Sequence, residues 1–242
     1  MLTRIAAAAI ALAILSTPGP ATAQSAEIGW DITGGQSWEG RTGLGLMLGL
    51  GGNDCTDDYC TERWDTRFFG SLGGFAGVFY RLIPNVSVFA DFHMGYINTD
   101  TSWGEDDGGM LIQLIAGGEF HAPVTGWLDA HLGLGFGFAH LRAHATREDG
   151  GEASSSLNGF DIELRFGTDV YLFSAVPTLG LGPYFKLGFP IWLSQCVEGL
   201  DQGGQLDECG DPGSFDDLGP SGLKKDDLPF LVHFGLAARY GF

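Results

Sequence analysis

Residues 229–242 read PFLVHFGLAARYGF, and from Phe230 every second side chain is apolar: Phe230, Val232, Phe234, Leu236, Ala238, Tyr240 and Phe242. Between them stand Leu231, His233, Gly235, Ala237, Arg239 and Gly241, which are small, polar or charged from His233 onward. A repeat of two marks a β-strand, because successive side chains leave opposite faces. One face of this strand is greasy and the other carries a histidine and an arginine. The remaining sequence decides which of the two meets solvent.

The same pattern recurs upstream at 41–51, 67–82, 86–97, 109–121, 127–142, 158–173 and 178–193. In 86–97, Val86, Val88, Ala90, Phe92, Met94 and Tyr96 alternate with Ser87, Phe89, Asp91, His93, Gly95 and Ile97. In 127–142, Leu128, Ala130, Leu132, Leu134, Phe136 and Phe138 alternate with Asp129, His131, Gly133, Gly135 and Gly137. The connections at 83–85, 122–126 and 174–177 are short and each holds one proline. Those at 52–66, 98–108, 143–157 and 194–228 are long, acidic and rich in Gly, Asp and Ser. Short turns at one end and long loops at the other describe a transmembrane barrel, in which the greasy face looks out to lipid. Aromatics on that face sort into two belts. Tyr80, Phe120, Tyr240 and Phe242 fall near the short turns, and Phe68, Tyr96, Phe160 and Phe230 near the long loops.

Three stretches fit less simply. Segment 67–82 is apolar on both faces; Leu72, Ala76, Val78 and Tyr80 are assigned to lipid because Ser71 and Arg81 share the face of Phe69, Phe75 and Phe79. Pro183 and Pro190 interrupt the seventh segment, where a bulge or an early strand end is expected because proline lacks a donor. Residues 27–33 (EIGWDIT) also alternate, but a ninth strand would break the parity, so they are read as a lead-in.

At the amino-terminus, Arg4 precedes an apolar run from Ile5 to Leu15, and Ala21-Thr22-Ala23 matches an A-x-A cleavage site. Residues 1–23 are therefore read as a secretory signal peptide, cleaved after Ala23. Beyond it, no apolar run reaches the roughly 18 residues a membrane helix needs. A net charge of −18, with only 12 Lys and Arg, argues against a nucleic-acid partner.

An aromatic carboxy-terminus preceded by alternating apolar residues resembles the closing strand of bacterial outer-membrane β-barrels, with the usual upstream glycine displaced to Gly235. The whole pattern is similar to the small barrels of the OmpA and OmpX type. The resemblance implies an all-β fold, an eight-stranded antiparallel up-and-down transmembrane barrel over residues 24–242, acting as a monomer in the outer membrane. It also implies contact with outer-membrane lipid, and insertion by the outer-membrane assembly machinery reading Tyr240 and Phe242.

The inward face then collects Asp91, His93, Gln113, Glu119, His121, Asp129, His131, Asp161, Glu163, Arg165, Asp169, Lys186, His233 and Arg239. An eight-stranded barrel has just enough room for side chains, and buried charges must pair. The expectation is a side-chain-filled lumen. The runner-up is a narrow channel for ions or small solutes, widened at Gly43, Gly45, Gly133, Gly135 and Gly137 and refilled by Phe89, Tyr171, Phe173 and Tyr184. The histidines lack the close spacing that makes zinc motifs specific. None is followed two residues on by serine, as in the lipid-modifying barrel enzymes. No catalytic residue, metal or cofactor is expected, with a lipid-modifying enzyme the least favoured alternative.

Most of the 30 acidic residues sit in the long loops, so capture of divalent cations or surface adhesion is a third reading. All four cysteines are in those loops. The simplest pairing is Cys55–Cys60 and Cys196–Cys209, though closure of the ring leaves cross-pairing open.

Overall fold

The computed structural model describes residues 37–50, 53–54, 61–62, 66–83, 85–98, 108–125, 127–146, 152–171, 179–201, 204–211 and 230–241. The expected signal peptide, Cys55, Cys60, Phe173 and Phe242 lie outside them. Among the described residues eleven strands follow in order: β1 Ser37–Leu50, β2 Asn53–Asp54, β3 Thr61–Glu62, β4 Thr66–Ile83, β5 Val86–Asn98, β6 Gly108–Thr125, β7 Leu128–Thr146, β8 Glu152–Val170, β9 Leu179–Asp201, β10 Gly204–Gly210 and β11 Phe230–Gly241. Eight of these form the ring β1–β4–β5–β6–β7–β8–β9–β11, which closes where β11 pairs antiparallel with β1 from Glu39↔Gly241 to Leu50↔Phe230. The short β2–β3 pair stands outside the ring, and β10 pairs only with the upper end of β9.

Register fixes the barrel's proportions. Direct partners run from Leu181 through Ala238, Thr42, Ala76, Phe92, Leu114, Phe138 and Phe160 back to β9 at Ile191, ten residues beyond the start. A stagger of ten over eight strands tilts them by roughly 40° and makes one circuit climb about 25 Å along the axis, the height of the apolar band of an outer-membrane barrel. Trp38, Tyr80, Phe120 and Tyr240 form one aromatic belt at the short-turn end, with Trp38 and Tyr80 in ring contact at 4.9 Å. Tyr96 and Phe160 lie one band height above them, near Ile191 and Met110.

The two faces sort as their chemistry requires. Leu44 and Leu236 are each 71% exposed, and Leu72, Leu114, Leu132, Phe136 and Phe166 also look outward. Phe75, Phe79 and Arg81 turn inward, as the reading of segment 67–82 has it.

Several boundaries differ from expectation. β1 begins at Ser37, which adds Glu39 to the lumen, and Arg41, within the expected segment, also faces inward. Pro183 and Pro190 do not end β9; both are paired, with Leu236 and Asp161, and the register slips instead between Asn158 and Gly159, opposite Ser194 and Trp192. Most of the connection at 143–157, and residues 194–201 and 204–210 of the one at 194–228, are strand. β7 continues to Thr146, β8 starts at Glu152, β9 runs to Asp201, and β10 folds back on it with Cys196 bonded to Cys209. One side of the barrel thus rises as a β7–β8–β9–β10 wall beyond the apolar band.

Candidate functional site: a filled, charged lumen

All fourteen inward polar residues named from the sequence are buried, and Glu39, Arg41, Arg81, Ser87 and Gln195 join them. The charged ones form two layers. The lower layer, near the short turns, ties both sides of the β1–β11 seam to the opposite wall. Arg41 of β1 donates to Glu119 at 3.3 Å and to Asp169 at 2.8 Å, and touches His131. Arg239 of β11 donates through Nε to Glu39 at 2.6 Å and through Nη1 to Asp169 at 3.1 Å and Asp129 at 3.5 Å. Arg81 of β4 closes the group on Glu39 at 2.9 Å.

Phe79 and Phe89 lie tilted against each other above this layer, 5.5 Å between centroids, and begin the second one. Arg165 and Lys186 are direct cross-strand partners, a like-charge pairing that would repel if left alone. Asp91 resolves it by accepting from Arg165 at 2.7 Å and Lys186 at 3.3 Å, and Glu163 touches Arg165 as well. Each cation also sits 3.5 Å from an aromatic centroid, Arg165 over Phe89 and Lys186 over Phe75. Lys186 Nζ reaches His93 at 2.9 Å, and Tyr184 reaches His233 at 2.8 Å.

A third layer, which the alternation did not announce, is apolar. Met47, Leu111, Leu141, Leu157, Trp192 and Leu231 pack together toward the long-loop end. They occupy inward positions, yet they carry no charge.

Asp161 stands apart in the upper charged layer. It accepts from Gln113 at 2.5 Å and makes no ion pair among the described residues. A carboxylate held without a cation costs more than one that is paired. Asp161→Asn is therefore expected to leave the unfolding temperature unchanged or raise it, whereas Asp169→Asn lowers it; heat-dependent gel migration of the two variants checks this.

Ser87 Oγ lies 2.9 Å from His121 Nε2, and His121 Nδ1 lies 3.0 Å from Asp129. That is the order of a hydrolase triad. However, Ser87 and His121 have no exposed surface, and Glu119 approaches the same Nε2 at 3.3 Å. A nucleophile must meet its substrate, so this chain of contacts serves as a clamp between β5, β6 and β7. Sequence spacing could not reveal it, because the three residues come from three strands.

No protein-family model matches this sequence, and no curated protein matches it. Solved structures do resemble it in shape. A major outer membrane protein from Thermus thermophilus superposes over 86% of this chain and 99% of its own, with a TM-score of 0.59 at 14% identity. The fold is that of the small outer-membrane β-barrels. Neisserial surface protein A matches over 86% of this chain and 99% of its own, with a TM-score of 0.50 at 8% identity. At such identities the likeness concerns the barrel itself, and nothing of either protein's role passes to this chain. The barrel's own contents have to speak for function.

Proposed function

We propose that the protein is an integral outer-membrane barrel with a sealed lumen, exported by a signal peptide cleaved after Ala23 and inserted by the outer-membrane assembly machinery. Its role is structural and at the cell surface. The carrying observation is the burial of the lumenal side chains: His121, Asp161 and Asp169 retain 0% of their surface and Arg165 2%. A water-filled channel would leave its lining accessible, and a lining of this charge would be wet. Two ion-paired layers below an apolar one oppose ion passage in two ways, by pairing the fixed charges and by denying a hydration path.

Planar bilayers test the reading. Purified protein is expected to give no discrete conductance steps, and reproducible single-channel steps from the folded barrel would overturn it in favour of a narrow channel. The tall β7–β10 wall supports the surface role, because it presents a folded sheet beyond the apolar band and its β9–β10 hairpin is held by the Cys196–Cys209 bond.

A further inference from the structure

Lysine and arginine are scarce in this chain, and Arg41, Arg81, Arg165, Lys186 and Arg239 are all spent inside the barrel. Arg142 is the exception among the described side chains: it faces outward on β7 with 45% of its side chain exposed. Its position is specific. The outward residues of β7 change within one alternation from Phe136 and Phe138 to His140, Arg142 and His144, at the height where the apolar band ends. On β8 the direct partners of those three are Asn158, Ser156 and Ser154, directly above Phe160. A greasy floor thus passes into a ceiling of hydrogen-bonding groups at the membrane surface.

We propose that this face holds the phosphate-bearing headgroup of an outer-leaflet lipid, with the acyl chains against Phe136, Phe138 and Phe160 and the phosphate on Arg142. The Phe136 and Phe160 rings stack at 5.3 Å and form a flat apolar support for the chains. His140 uses Nδ1 on Asn158 at 2.7 Å, so its other ring nitrogen points away from that contact. Arg142 donates to Glu198 at 3.2 Å, and Ser154 donates to the same oxygen at 3.3 Å. Glu198 therefore stands where a lipid phosphate oxygen would stand, since both are anionic acceptors for the same donors. The carboxylate is a competitor for the site, which gives the proposal a test in two directions.

The inference rests on the outer-membrane reading with the β7–β10 wall outermost. The experiment uses the full barrel in maltoside detergent and native mass spectrometry, with three probes: diphosphoryl lipid A, its dephosphorylated form, and inorganic phosphate. Heat-dependent gel migration confirms the folded barrel for every variant. A chain that never shows the folded form contradicts the barrel reading, whereas a folded chain indifferent to the probes contradicts the patch. Wild-type protein is expected to retain diphosphoryl lipid A, with Arg142→Ala weakening retention roughly fivefold. Glu198→Gln strengthens it by freeing the guanidinium, the dephosphorylated lipid is held less, and millimolar phosphate does not displace the lipid. Unchanged retention in Arg142→Ala, weaker retention in Glu198→Gln, equal retention of the dephosphorylated lipid, or displacement by free phosphate would each overturn the proposal.

Discussion

Arg239→Met is expected to destabilise the folded barrel by about 3–5 kcal/mol, the range for breaking a buried ion pair by removing one partner. Methionine fills a similar volume, so the loss comes from what is left behind. Glu39 loses both its contacts from β11, and Asp169 and Asp129 lose a donor at 3.1 and 3.5 Å. Asp169 keeps Arg41 at 2.8 Å and Glu39 keeps Arg81 at 2.9 Å, which limits the damage. Glu39→Gln added to Arg239→Met should recover part of the loss, because it removes a carboxylate the first change left short of a partner. The coupling between the two is read from urea unfolding in detergent as a double-mutant cycle. Equal stability of Arg239→Met and wild type would mean that the lower charged layer contributes nothing to closure.

Gly45→Val and Gly235→Val are expected to prevent closure almost completely. The two glycines are direct partners across the β1–β11 seam. A Cβ at Gly45 would overlap the Phe234 carbonyl oxygen and lie 2.8 Å from the Gly235 Cα, and a Cβ at Gly235 would overlap the Leu44 carbonyl oxygen. The obstacle in both cases is backbone, which cannot swing aside as a side chain can. Gly73, the partner of Gly45 on β4, makes the control. A Cβ there meets His233 Nε2 at 3.4 Å and the Gly95 Cα at 3.5 Å, ordinary contact distances, so Gly73→Ala should fold. The fraction of each variant that migrates as folded barrel before heating measures the difference. Full folding of Gly45→Val would show that the seam has slack the packing denies.

The barrel itself was legible because lipid imposes the rule. Within the membrane the outward face must be apolar, so hydropathy alternates along every strand, and Asp91, His93, Glu163 and Lys186 could be assigned inward from periodicity alone. Above the band the rule lapses. On β7 and β8 the outward residues Arg142, Ser154 and Ser156 are polar while Leu141 and Leu157 face in, so the upper wall reads as loop although it is strand. The inner apolar layer escaped for the same reason, since an inward Leu111 or Leu231 runs against the sorting that worked lower down. Glu39 was missed because it stands between Trp38 and Gly40, too short a run beside the assigned strand to display a period. Which cation meets which acid was never legible, because Arg239 gathers partners from β1, β7 and β8 that only closure brings together.

Greasy side chains meet acyl chains while charged ones fill the interior, and nuclear Overhauser transfer from lipid acyl protons to methyl groups in bilayer nanodiscs tests this sorting directly. Leu134 and Leu164 are 56% and 41% exposed on the outer face, whereas Ile115 is 1% exposed among the lumenal side chains. Strong acyl cross-peaks at Leu134 and Leu164 with none at Ile115 are predicted. Acyl contact at Ile115 with silence at the two leucines would mean that the faces are reversed.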